Sequence, residues 1–83
     1  MKQRSSQLTP FGNAVRERRE SKNLSQEELA DLCNIHRTYI GGVERGERNP
    51  TLRTMLKLAA ALDTQLSTLI LAMEKGDSEK NRP

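Results

Sequence analysis

The segment from Ser25 to Pro50, SQEELADLCNIHRTYIGGVERGERNP, constrains the fold more than any other part of the chain, because it places two short helical patterns on either side of a tight corner. Ser25 followed three residues later by Glu28 is a capping box, in which each side chain satisfies a backbone donor left free at a helix start. Leu29, Leu32 and Cys33 then recur at helical spacing and are expected to face inward, leaving Gln26, Glu27 and Asp31 on the wet side. Asn34 ends this helix, since Asn adopts the left-handed backbone of a helix terminus more readily than most side chains, and Ile35 plugs the corner. A second helix is expected from about Arg37 to Arg45. Its periodicity points Tyr39, Ile40 and Val43 one way and gathers Arg37, Thr38, Gly41, Gly42 and Arg45 on the other. A side made of two arginines and two bare glycines is no core face, so it faces a partner.

Double-stranded DNA fits that description. An α-helix enters the major groove, and side chains near its N-terminal end reach the base edges. Arg37 and Thr38 sit at that end. Arg is the commonest specific partner of guanine, which favours base readout for Arg37 over the alternative of a plain exposed helix start. Thr38 is placed to meet a base, a thymine methyl or a phosphate. Tyr39 is half-apolar by its angle, and packing with its hydroxyl on a phosphate stands level with base contact. Arg45 and Arg48 bracket the loop that leaves the helix and are expected to hold phosphates, with the Asn49 amide beside them; before Pro50, a turn role alone would also account for Asn49.

The motifs SQEELA, YI and ERGERNP, with their spacing, resemble the Cro and phage-repressor (XRE-type) class of helix-turn-helix transcription regulators. The resemblance extends upstream through FGNAVRERRESKNLSQ and downstream through TLRTMLKLAAALDTQLSTLI, so it covers most of the chain. Within the class, RTYIGGVERGERN is similar to the controller proteins of restriction-modification systems. The resemblance implies an all-α, compact five-helix domain of the lambda-repressor-like kind, which regulates transcription by binding pseudo-palindromic operator DNA as a homodimer. It also implies a phosphate contact for Gln26, a structural ion pair between Arg19 and Glu44, and a two-fold interface on the last helix. Where members often carry a base-reading side chain, this chain has Gly42; where they have a Ser-like cap, it has His36.

Upstream, Thr9 is expected to cap the first helix with Pro10 in its first turn, and Phe11, Ala14 and Val15 to begin its buried stripe. The same period puts Arg18 on that stripe, so it must snorkel or find a partner. Downstream, Thr51 reads as the cap of a fourth helix whose apolar positions, Leu52, Met55, Leu56, Leu58, Ala59 and Leu62, are too widely spread for one neighbour to cover. A fifth helix around Leu66 to Met73 carries Leu66, Leu69, Ile70 and Met73 on one stripe with Leu71 off it. These five residues are the expected dimer interface.

Composition narrows the alternatives. With 83 residues, no Trp, and one Phe and one Tyr, the chain makes one domain with a thin aliphatic core. One Cys and one His neither form an internal disulfide nor assemble a four-ligand zinc site, and Cys33 has no activating base at motif spacing, so it reads as a small buried residue. No metal, cofactor or catalytic residue is expected, and the enzyme reading has the least support. No apolar stretch reaches membrane-span length and the start carries no signal core, so the expected location is the cytoplasm. The formal charge of +3 is unevenly placed: residues 1–24 carry six basic and two acidic groups, residues 25–50 three and five, and residues 51–83 five and four. Glu27, Glu28 and Asp31 favour the dipole of the helix they begin, and they offer an acidic surface to RNA polymerase if the bound protein activates transcription. Residues 1–7, with Lys2 and Arg4, read as a flexible arm, residues 8–74 as the domain, and residues 75–83 as a flexible tail. Two other functions fit the same fold: a protein-interaction module, and the DNA-binding antitoxin of a toxin-antitoxin pair.

Overall fold

The computed structural model describes residues 8–80, with side chains to Lys75. The arm at residues 1–7 and the last three residues of the expected tail lie outside the described residues. Five α-helices follow in order: α1 (Leu8–Ser21), α2 (Gln26–Cys33), α3 (Arg37–Glu44), α4 (Leu52–Ala61) and α5 (Leu66–Lys80).

The helix starts are set locally. At α2 the capping box is complete: the Ser25 hydroxyl accepts from the Glu28 N–H at 2.9 Å, and the Ser25 N–H donates to Glu28 Oε1 at 2.8 Å. Thr51 caps α4 by accepting from the Thr54 N–H. The first helix begins at Leu8, a residue before the expected Thr9 cap, so Pro10 still lies in the first turn, where no carbonyl partner is lost. Each of the four corners contains a residue with left-handed backbone: Asn23 (φ 59°), Asn34 (φ 58°), Gly46 (φ 76°) and Asp63 (φ 56°). Asn and Asp tolerate that conformation better than other residues with a Cβ, so helices reverse within a few residues.

Phe11, Val15, Leu29, Ala30, Cys33, Ile40, Val43, Leu58, Ala59, Leu62 and Leu69 form the core. Leu32, expected inside, is 61% exposed. The inward wedge of α2 is Leu29, Ala30 and Cys33, and Leu32 lies about 100° from its centre at helical spacing. The same geometry divides α4, where Leu58, Ala59 and Leu62 are buried while Leu52 and Leu56 face outward. Arg18 finds its partner at the end of that helix, donating from Nε to the Leu62 carbonyl at 3.0 Å and from Nη2 to the Asp63 carbonyl at 2.8 Å. It thereby satisfies acceptors that a helix C-terminus leaves open. The last helix continues to Lys80, past its expected end near Met73 and through residues 75–80 of the expected tail; Glu74, Lys75, Glu79 and Lys80 are strong helix formers.

Gly12 sets the distance between α1 and α3. A Cβ there would collide with the Val43 and Glu44 carbonyl oxygens, so only glycine lets the two backbones approach this closely.

Candidate nucleic-acid interface

The inner side of α3 is held by packing and by one polar network. Ile40 and Val43 are buried in the core. Glu44, whose side chain is only 2% exposed, accepts from Arg19 Nε at 2.7 Å and Nη2 at 3.1 Å on α1, and from Gln26 Nε2 at 3.0 Å on α2. Arg19 Nη1 donates to the Leu24 carbonyl at 2.8 Å. The hydrogen bonds with Glu44 hold the Arg19 guanidinium above its ordinary range against the opposing effect of burial. A carboxylate taken out of water needs such a shell of donors, and here the shell joins three helices at the end of α3. Gln26, identified from the resemblance as a phosphate contact, thus has a place in this network. Nothing in its local sequence spacing marks that, because its partner lies 18 residues away.

The outer side of α3 is open. Arg37, Thr38, Arg45, Arg48 and Asn49 are exposed and Tyr39 is half-buried against the core. Arg45 Nε stands 3.1 Å from Glu47 Oε1, and the Arg48 guanidinium carbon lies 5.6 Å over the centre of the Tyr39 ring. His36 occupies the cap position of α3 without a side-chain capping bond.

Gly41 and Gly42 depart from the sequence reading. Expected as bare backbone on the outward face, both are buried. The tip of Arg45 and the amide of Gln26 cover Gly41, and the stem of Arg48 covers Gly42, so side chains from outside α3 fill the space the glycines leave. Gly42 is therefore not a surface that touches a partner directly.

The five residues of the expected dimer interface are also divided. Leu69 is 2% exposed and belongs to the core of its own chain, on the helix that packs along α1, so it is removed from the interface. Leu66, Ile70 and Met73 are half-buried against that core, and Leu71 is 54% exposed. Among the described residues no group of three His, Cys, Asp or Glu side chains is arranged to hold a metal ion, and no single helix is long and apolar enough to cross a membrane.

Comparison with known proteins places this geometry. A helix-turn-helix family model matches residues 15–69. Control protein C.SmaI of Serratia marcescens is 55% identical over 56 residues, covering 68% of this chain and 67% of its own. The chain belongs to the helix-turn-helix family of DNA-binding transcription regulators. Among solved helix-turn-helix structures, the restriction-modification controller protein C.AhdI from Aeromonas hydrophila superposes with a TM-score of 0.77 at 51% identity, covering 78% of this chain and 98% of its own. The master regulator of biofilm formation SinR, solved in complex with DNA, superposes with a TM-score of 0.69 at 30% identity, covering 72% and 97%. In the helix-turn-helix unit of this chain, α2 and α3 are the two motif helices and Asn34 is their corner.

Proposed function

We propose that this regulator binds a pseudo-palindromic operator as a homodimer, with α3 of each protomer in the major groove, and that it controls the genes of a restriction-modification system in the cytoplasm. The observation that carries the reading is the two-sidedness of α3: a buried carboxylate network fixes its inner side while Arg37, Thr38, Arg45 and Arg48 stand exposed on the outer. Arg37 and Thr38 read base edges. Arg45, Arg48 and Asn49 hold the backbone, Tyr39 adds its hydroxyl at the rim, and Gln26 offers a phosphate the backbone N–H at the start of α2. Leu71, with the open edges of Leu66, Ile70 and Met73, forms the two-fold seam, which sets two α3 helices roughly 34 Å apart along the duplex. Occupancy of promoter DNA is the mechanism and no cofactor or catalytic step enters it. The exposed Glu27 and Asp31 carboxylates on α2 are the surface an adjacent RNA polymerase would meet.

Selection of bound sequences from random duplex DNA, with wild type and Arg37→Ala in parallel, tests the proposal. The wild type should enrich a two-fold symmetric motif. The variant should lose preference at one position per half-site, at a cost of about 1–3 kcal/mol. Enrichment of a single unrepeated half-site would overturn the homodimer, and no enrichment at all would overturn DNA reading in favour of a protein-interaction module.

A further inference from the structure

The pair Gly41–Gly42 is the one feature of α3 that reading DNA does not explain. Glycine is the poorest helix former after proline, and two stand together inside an eight-residue helix. Their surroundings differ. A Cβ on Gly41 would meet first the Nη1 tip of Arg45, at 3.0 Å, which is the far end of a flexible side chain. A Cβ on Gly42 would lie 2.5 Å from Arg48 Cγ, with Nε and Cδ at 3.4 and 3.5 Å, so the stem of Arg48 rests on the bare backbone of Gly42.

One backbone bond and one side-chain contact place that residue further. The Arg48 N–H donates to the Gly42 carbonyl at 3.3 Å, and the guanidinium stands 5.6 Å over the Tyr39 ring, one turn back along α3. Arg48 therefore lies along the helix from Gly42 to Tyr39 while remaining exposed to solvent. A guanidinium held this way loses less rotamer freedom on meeting a phosphate or a base than one that swings freely.

We propose that Gly42 is a positioning residue: its missing side chain makes the seat that lays Arg48 against Tyr39 at the edge of the reading face, so position 42 governs DNA affinity and preference through Arg48. The proposal rests on the DNA-reading role of α3 given above. It assigns Gly42 an indirect part in recognition, and it makes any side chain at that position an eviction of Arg48.

Tyr39 is the only tyrosine and the chain has no tryptophan, so its ring proton signals report the seat without DNA present. Arg48→Ala and Gly42→Ala should shift those signals alike, while Gly41→Ala keeps them at their wild-type positions. Alanine is the better helix former, so Gly42→Ala should retain its fold and melt no lower than wild type. On the duplex selected by the wild type, followed by fluorescence anisotropy beside a shuffled duplex, Gly42→Ala should weaken binding about tenfold, in the range for one misplaced arginine. Adding Arg48→Ala to Gly42→Ala should cost nothing more. Tyr39 signals that move in Arg48→Ala and stay unmoved in Gly42→Ala would overturn the seat. Losses that multiply in the double variant would overturn the coupling. A wild type that prefers no duplex would overturn the DNA reading and the purpose of the seat with it, and the Tyr39 signals alone would still tell whether Gly42 holds Arg48.

Discussion

Replacing Glu44 by alanine should do more to this domain than any surface change on α3, and the size of the effect follows from who is left behind. In the folded chain the Glu44 carboxylate accepts three hydrogen bonds, two from Arg19 and one from Gln26. Without it, Gln26 can turn to water, being only half-buried. Arg19 cannot: its side chain is 11% exposed, and what remains to it is the Leu24 carbonyl bond and a 4.0 Å approach to the exposed Glu20 carboxylate. Leaving one member of a buried pair uncompensated costs roughly 3–5 kcal/mol, and the thin cover over Arg19 favours the lower end. An 83-residue domain has on the order of 4–12 kcal/mol in all and loses about 4–8 °C of melting temperature per kcal/mol. Glu44→Ala should therefore melt about 12–24 °C lower when followed by circular dichroism. Joint replacement by methionines, Arg19→Met with Glu44→Met, should be milder than the two single changes summed, because no charge is stranded. A Glu44→Ala midpoint within about 3 °C of wild type, or strict additivity in the double variant, would refute this account of the network.

Two other outcomes follow from buried features. Gly12→Ala puts a methyl against the Val43 and Glu44 carbonyl oxygens, which belong to a helix backbone and cannot step aside, so it should lower the urea midpoint, with an unfolding free energy smaller by about 1–3 kcal/mol, despite alanine's better helix propensity. A raised midpoint would show that α1 can slide away from α3. Cys33 is 3% exposed with Sγ 3.6 Å from the Lys57 carbonyl oxygen, and burial pushes its thiol up more than the Lys57 charge pulls it down. Iodoacetamide at neutral pH should spare it until denaturant is added, and because the folded state holds the proton tighter than the unfolded one, stability should decline as pH climbs above the ordinary thiol range. Full labelling of the native protein would contradict the packing of α2 on α4.

What could be read from the chain was what local chemistry decides. The capping box at Ser25, the left-handed Asn34 and the Thr51 cap each depend on residues within a few positions, and each stands as the spacing says. Periodicity was a blunter guide. It put Leu32 inside, although Ala30 completes the wedge, because hydrophobicity weighs a leucine above an alanine while packing weighs only the angle. Leu69 was legible as apolar and on a stripe, but which chain it packs against depends on the placement of α1, a tertiary fact. Gly41 and Gly42 were least legible. Angles place both on the outward side, yet what covers them arrives from Gln26, Arg45 and Arg48, and no helical pattern encodes where a side chain from outside the helix comes to rest.

The junction at Glu44 has a consequence for how such a protein can change its target. Because α1, α2 and α3 meet at one carboxylate, and because the α1 and α3 backbones touch across Gly12, the pitch at which α3 leaves the body is common property of three helices. It cannot be altered by one substitution without loosening the whole. The exposed residues of α3 answer to no such constraint. On the proposed DNA-reading role of α3, a lineage of these proteins can rewrite its vocabulary while keeping its grammar: new operators come from trading outward side chains, or the glycine that seats one of them, on a frame held at Glu44 and Gly12.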